Sequence, residues 1–232
     1  MAAQKTKKSG FTLAEVMITL GIIGVVAALT LPNLIAKLDH NGKISKLQKA
    51  QSILNQTIKL STQDNDEYEN WDRTLTTREH IQKYYAPYMK IAVFCDNAIK
   101  CGYKNQNPWD SKVYNQFNTD GRLPFITMDG ILYSIITRGG LSSGDKNIDK
   151  EYDFSISSSS GIIIDVNGAN KPNRFGNDLF MLVRTTEGSV MPLGYNLSDS
   201  VINSDCTKAN IRIYCAEKLR RNGWKASNDY PW

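Results

Sequence analysis

The chain has 232 residues, of which 41% are hydrophobic, so it is long enough for one sizeable globular core beside a special N-terminal segment. Its formal net charge is +5, but Lys5, Lys7 and Lys8 lie within the first ten residues. Without these three, the 28 basic side chains fall to 25 against 23 acidic ones. So balanced a charge gives no support to a nucleic-acid-binding function.

An apolar segment follows this leader at residues 11–31 and reads FTLAEVMITLGIIGVVAALTL. A helix needs about 20 such residues to cross a bilayer, so the segment is predicted to span a membrane. The leader lysines would stay on the cytoplasmic side by the positive-inside tendency. The C-terminal bulk of the chain would then lie on the far side of the membrane.

Glu15 separates this segment from an ordinary secretory signal peptide. A signal peptide would use small residues such as Ala27 and Ala28 for cleavage, but the apolar run is long for that purpose. A carboxylate within hydrocarbon also costs on the order of 3 kcal/mol unless it is paired. Glu15 therefore needs a partner that neither a signal peptide nor a plain membrane anchor provides.

The stretch KKSGFTLAEVMITLGIIGVVAALTLP resembles the class III signal of type IV prepilins and type II secretion pseudopilins. A short basic leader ends in Gly10 and is followed by Phe11, with Glu15 fifth and Pro32 twenty-second after the junction. The resemblance implies cleavage between Gly10 and Phe11 by a membrane prepilin peptidase, and N-methylation of Phe11. It also implies a long N-terminal helix that packs against a globular head.

The resemblance assigns a role to Glu15. After cleavage, the α-amino group of Phe11 would be a cation one helical turn from this carboxylate. In the family, the Glu of an incoming subunit is thought to pair with the N-terminal amine of the previous one, which neutralises both charges in an apolar filament core. Self-association, the prepilin peptidase and an inner-membrane assembly platform are the partners implied.

Helical periodicity continues beyond Pro32, which is expected to kink or loosen the helix because proline removes an intrahelical hydrogen bond. Residues 61–76 are polar and acidic and are predicted to form a solvated connection. A short helix at about Thr77–Tyr85 is predicted to end before Pro87. The apolar stripe of the long helix is predicted at Ile44, Leu47, Ala50 or Gln51, Leu54 and Ile58.

The four cysteines fall into two close pairs, Cys95 with Cys101 and Cys206 with Cys215, without the CxxC spacing typical of zinc sites. Local pairing is favoured because short loops close with the least loss of entropy, although four cysteines allow two other pairings. Disulfides persist outside the cytosol, so this pattern places the head in the periplasm or outside the cell.

Strand signals dominate the middle of the chain. The Asp129-Gly130 pair supplies the positive φ of a tight turn between predicted strands Leu123–Met128 and Ile131–Thr137. Together the strands predict an antiparallel sheet that covers the helix, and hence an α+β fold. The remaining elements are strands Gly161–Val166, Leu179–Thr185 and Ser189–Met191, and a C-terminal helix at about Ile211–Arg221 within a part that resembles the disulfide-bounded loop of pilins.

The segment DVNGANKPNRFGNDLF is a candidate calcium site, because oxygen ligands on a turn-rich loop suit Ca²⁺. Its spacing departs from an EF-hand loop, which ends in a glutamate that is lacking here. The alternative is a rigid connection in which Asp and Asn side chains bond their own backbone. The candidate ligands are Asp165, Asn167, Asn173 and Asp178.

No catalytic constellation emerges from the sequence, since His40 and His80 are isolated and the common nucleotide, zinc and serine-hydrolase motifs are lacking. The predicted organisation is a leader at 1–10, a helix at 11–60 with its membrane segment at 11–31, and a head at 61–232. The prediction is a structural subunit of a pilus or pseudopilus, with no required cofactor and no nucleic-acid partner. A tip subunit that binds surfaces, DNA or secreted substrates stays an alternative, as does a membrane-anchored periplasmic enzyme.

Overall fold

The computed structural model describes residues 12–72, 74–110, 117–118, 122–135, 161–185 and 188–232. Gly10, Phe11, residues 136 and 137 of the predicted hairpin, and the serine-rich stretch before Gly161 lie outside these ranges. The chain divides into two units, residues 1–41 and residues 42–232. The α+β fold class is confirmed: a long helix precedes an antiparallel sheet, and short helices complete the C-terminal part.

Helix α1 (Leu13–Asn65) is 53 residues long and continues as a helix through Pro32. Beyond Gly42 its apolar stripe is buried, which confirms the predicted periodicity. Ala50 is the buried residue at the position where the sequence left Ala50 or Gln51 open. The helix also buries Thr57 and Ser61. It ends at Asn65, five residues past the predicted end at residue 60.

The solvated connection predicted at 61–76 is therefore wrong for residues 61–65, which are helical. Beyond them it misses the burial of Trp71. After α1, a 3₁₀ turn (Tyr68–Asn70) leads to Trp71, which is 3% exposed and stacks on Tyr84 with 4.3 Å between ring centroids. Tyr84 ends helix α2 (Thr77–Tyr84), which begins at a capping box of Thr76 and Glu79. Because the large ring of Trp71 is buried, this polar segment packs against the core.

Six strands, among the described residues, form one antiparallel sheet in which each strand pairs with its sequence neighbours. The predicted hairpin and the later strands are present: the first four of these strands are shorter than predicted, and the last is shifted by one residue. Strand β1 was not predicted from the sequence. The strands are β1 (Ile91–Phe94), β2 (Phe125–Thr127), β3 (Leu132–Ser134), β4 (Ile162–Asp165), β5 (Leu179–Arg184) and β6 (Val190–Pro192).

Both faces of the sheet are buried. Side chains alternate along a strand, so Ile162 and Ile164 of β4 pack into the cluster that includes the α1 stripe. Ile163 packs into a second cluster with Tyr103, Trp109 and residues of the C-terminal part. Two covered faces explain why β4 reads as a continuous apolar run and not as an alternating one.

Two side chains of α1 hydrogen-bond the outer edge of the sheet. The backbone N–H of Val190 donates to Asn55 Oδ1 at 2.7 Å, and its carbonyl accepts from Asn55 Nδ2 at 3.1 Å. Gln51 Nε2 donates to the same carbonyl at 2.9 Å. The edge strand β6 thus has backbone groups satisfied by helix side chains where a further strand would otherwise pair.

The C-terminal part contributes side chains to both hydrophobic clusters of the head. Helix α3 (Asp199–Asp205) was not predicted, and helix α4 (Cys215–Arg221) begins four residues later than predicted. The closing aromatic residues pack against the core: Tyr230 is buried and donates to the Gly176 carbonyl at 2.8 Å. Trp224 and Trp232 are partly buried against the same cluster as α1.

Candidate functional site

The first turn of α1 contains a capping arrangement that involves Glu15. The backbone N–H and the hydroxyl of Thr12 each donate to Glu15 Oε2 at 2.8 Å. The Glu15 N–H donates to the Thr12 hydroxyl at 3.2 Å. This reciprocal pattern is a capping box, and it provides Glu15 with a partner inside its own chain. The T-x-x-E pattern was visible in the sequence and was missed there, although it recurs at Thr76 and Glu79.

The apolar residues after Glu15 are exposed. Helix α1 contains an 18-residue window of mean hydropathy 2.2, none of it buried, and is by length and composition able to cross a membrane. Among the described residues it is the one helix that passes this test. Exposed side chains of this size and number are costly in water, which favours a bilayer or a partner as their surroundings. They include Leu20, Ile22, Ile23, Val26, Leu29 and Leu34.

Residues 165–178, here termed the β4–β5 loop, bring the four candidate calcium ligands into one segment between two adjacent strands. Asp165 and Asp178 are both fully buried. Tyr103 donates its hydroxyl to Asp165 Oδ2 at 2.7 Å, and the Asn167 N–H donates to Asp165 Oδ1 at 3.2 Å. The N–H groups of Asn173 and Arg174 donate to Asp178 at 2.9 and 2.7 Å.

Burial raises the pKa of the Asp165 carboxyl well above its usual range, and the nearby charge of Asp178 adds to this effect. Burial also raises the pKa of Asp178, although the charge of Lys43 and the backbone hydrogen bonds favour its ionised form. Two carboxyl groups that influence each other in a buried loop are expensive to keep ionised together, and the charge of Lys43 lowers that cost at Asp178.

The β4–β5 loop also contacts the segment at Asp110 and the Cys206–Cys215 region. The Asp110 N–H donates to the Asn173 carbonyl at 2.8 Å, and Arg174 forms an ion pair with Asp110. At Gly176, where φ is +79°, an added Cβ would lie 2.9 Å from Cys215 Sγ, so only glycine fits. Arg212 donates to the side chain of Asn177 at 2.9 Å. The loop therefore links the sheet to the Cys206–Cys215 region and to the segment at Asp110.

The structure joins Cys95 to Cys101 and Cys206 to Cys215, the local pairing that the sequence favours. Each disulfide closes a short segment, with sequence separations of 6 and 9. All four sulfur-bearing side chains are buried.

The basic residues of α4 are engaged in ion pairs. Arg220 and Arg221 both contact the fully buried carboxylate of Glu217, at 2.7 and 2.6 Å. Lys218 pairs with Asp229 at 2.6 Å. These cations therefore help to hold the C-terminal part together. His80, one of the two histidines, is buried against Trp71 and Tyr84.

Residues 5–31 match a protein family described as the prokaryotic N-terminal methylation motif. The chain carries a pilin-type signal. No curated protein and no solved structure is significantly similar to the chain. The match spans Gly10, Phe11 and Glu15 and ends one residue before Pro32, so it concerns the leader and the apolar segment and not the head.

The signal confirms the resemblance found in the sequence and is that of type IV pilins and pseudopilins. Together with the exposed apolar helix, it is consistent with membrane anchoring and with a structural subunit. Gly10 and Phe11 lie outside the described residues, so cleavage between them and methylation of Phe11 stay predictions.

Proposed function

We propose that this chain is a structural subunit of a type IV pilus-like filament or a secretion pseudopilus. A prepilin peptidase removes residues 1–10, Phe11 is N-methylated, and the mature subunit waits in the inner membrane with its head in the periplasm. It then polymerises through α1 on an inner-membrane assembly platform. The head is the surface of the filament, and the work of the protein is mechanical and not enzymatic.

The observation that carries this proposal is the methylation motif at residues 5–31, which continues into an exposed apolar helix. An anchor alone would need the apolar length but no acidic residue near its start. In the proposed filament, Glu15 of one subunit neutralises the Phe11 amine of its neighbour. The two disulfides support the proposal that the head lies outside the cytosol.

The capping box gives Glu15 a second possible role, and a test of assembly must separate the two. Glu15→Gln removes the charge but keeps a side-chain acceptor that can complete a capping box. Thr12→Val removes the capping hydroxyl but keeps the Glu15 charge. Glu15→Val removes both functions. The three variants therefore form a matched set on one helical turn.

The measurement is the amount of each variant in sheared filaments relative to the amount in the membrane fraction. If charge pairing drives docking, Glu15→Gln and Glu15→Val both fall sharply in filaments, whereas Thr12→Val assembles nearly as wild type. All three should be cleaved and retained in the membrane, because the peptidase site and the apolar length are intact. Normal assembly of Glu15→Gln with loss of Thr12→Val would reject the pairing mechanism and leave helix capping as the role of Glu15.

A further inference from the structure

A cavity of about 410 Å³ lies where the β4–β5 loop meets the Cys206–Cys215 region, the segment that this disulfide closes. Pockets for small molecules measure about 300–1,000 Å³, so the cavity has room for a small ligand. Its lining carries an excess of positive charge. Among the described residues, the charged side chains that line it are three cations and one carboxylate: Arg174, Lys208, Arg212 and Asp110.

Arg212 is the buried cation of this cavity. It is 8% exposed, and its Nη1 donates to Asn177 Oδ1 at 2.9 Å and to the Pro231 carbonyl at 3.2 Å. Both acceptors are neutral, and no other hydrogen bond engages its guanidinium within the part of the chain that the structure describes. Burial lowers the pKa of Arg212, and the nearby charge of Arg174 adds to this effect. Because a guanidinium nevertheless stays protonated, this side chain offers an anion a partly desolvated cation with donors to spare.

The backbone holds Arg212 in an unusual conformation. Its φ is +70°, a left-handed value that residues with long side chains rarely adopt. Next to it, the Tyr214 N–H donates to Asp205 Oδ2 at 2.9 Å. A Cβ at Gly176 would lie 3.1 Å from the Arg212 Cβ, so the stem of the arginine packs on that glycine. Backbone strain of this kind occurs most often where a side chain is fixed for binding or catalysis.

The other two cations reach the cavity from two different loops. Arg174, in the β4–β5 loop, donates from Nε to Asp110 Oδ2 at 2.7 Å, so Asp110 compensates part of its charge. Lys208, in the Cys206–Cys215 region, is exposed and forms no ion pair with the described residues. Guanidinium groups bind phosphate through paired N–H donors, and a lysine adds a point charge. Three cations beside one carboxylate therefore suit an anion with two charges better than an anion with one.

We propose that this cavity binds a phosphate group, free or as part of a small organic molecule, through Arg174, Lys208 and Arg212. Asp110 lowers the affinity because it competes with the phosphate for Arg174. The bound group would join the β4–β5 loop to the Cys206–Cys215 region. The inference concerns the head alone and does not depend on filament assembly.

The first experiment tests the chemistry of the ligand. The full chain, purified in detergent, is titrated by calorimetry with sodium phosphate and with glycerol 3-phosphate at about pH 8, where a phosphate group carries two charges. Sodium acetate at the same ionic strength is the monoanion control. The expected result is one phosphate per chain, with acetate bound about tenfold more weakly or worse. Similar Kd values for the two phosphates would assign the site to the phosphate group alone, and a lower Kd for the ester would assign it to an organic phosphate.

The second experiment tests the named side chains. Lys208→Gln removes an exposed cation of the cavity and should weaken phosphate binding about threefold to tenfold. Asp110→Asn removes the competing carboxylate and should strengthen binding about threefold or more. If Asp110 serves only to hold Arg174 in place, the same variant should instead weaken binding. Lys225→Gln is the matched control, because Lys225 is an exposed lysine of the C-terminal part that does not line the cavity.

Three results would overturn the proposal. One is a wild-type chain that takes up no phosphate, or that binds acetate as tightly as phosphate. Another is an equal effect of Lys208→Gln and Lys225→Gln, which would show that phosphate responds only to the overall charge of the surface. The third is unchanged or weaker binding in Asp110→Asn.

Discussion

Asn55→Ala should destabilise the head by separating α1 from the edge of the sheet. Asn55 lies on the helix and meets both backbone groups of Val190, at 2.7 and 3.1 Å. The substitution leaves the N–H of Val190 without this partner, in a residue that is fully buried. The carbonyl of Val190 keeps its bond from Gln51. The N–H is therefore the group that decides the cost.

The magnitude follows from these contacts. A net hydrogen bond contributes roughly 1 kcal/mol, and a buried donor left without a partner costs about 1–3 kcal/mol. Alanine is the better helix former by roughly 0.6 kcal/mol, which offsets part of the loss. The free energy of unfolding should therefore fall by about 2 kcal/mol. Gln51→Ala should cost about 1 kcal/mol or less, because Asn55 still bonds the Val190 carbonyl.

The assay is urea unfolding of the full chain in detergent, followed by tryptophan fluorescence. All four tryptophans lie in residues 42–232, so the signal reports on that unit. Gln56→Ala is the matched control, because Gln56 is an exposed amide on the same helix that contacts only Ser52 among the bonds described. It should change stability by less than about 0.5 kcal/mol. If Asn55→Ala is no more destabilising than Gln56→Ala, the edge bonds do not hold the helix to the sheet.

Two further predictions concern the leader and the disulfides. Gly10→Val should leave the precursor uncut, because a side chain at the junction obstructs the peptidase; mass spectrometry should then find the leader still attached. A wild-type mature chain that begins after Ala28 and not at Phe11 would refute the pilin-type processing. Replacing Cys206 and Cys215 by alanine should cost about 2.6 kcal/mol for a sequence separation of 9, against about 2.2 kcal/mol for the other pair with a separation of 6. Urea unfolding measures both values, and free thiols or crossed pairing in non-reducing peptide maps would contradict the prediction.

The parts of the fold that the sequence predicted are those in which a local pattern repeats. The α1 stripe recurs over four turns, and each position from Ile44 to Ile58 adds to the same inference. The Asp129-Gly130 pair marks the turn between β2 and β3 because its backbone conformation is restricted, with φ of +80° at Gly130. Helix α3 buries a single residue, Ile202, so no helical period marks it in the sequence.

The contacts that hold these elements together depend on residues far apart in the chain. Asn55 and Val190 are 135 residues apart, and neither carries a local pattern that announces the other. Trp71 was placed in a solvated connection because its neighbours are acidic, yet its ring stacks on Tyr84 and is almost completely buried. Composition describes the average of a segment, whereas burial is decided by single side chains and their tertiary partners.

The sequence identifies Glu15 as a site residue but gives only one of its two possible partners. An unpaired carboxylate in hydrocarbon is costly, and the family resemblance implies that the amine of a neighbouring subunit pairs with it. The structure adds a partner three residues away, Thr12. Its hydrogen bonds with Glu15 cap the N-terminus of α1 within a single subunit. These roles are compatible in time: in a lone subunit the capping box can hold Glu15 near the start of the membrane segment, and on docking the same carboxylate can turn to a neighbour's amine. Because Gln can cap but cannot neutralise a cation, the charge and the cap can be separated at this one position.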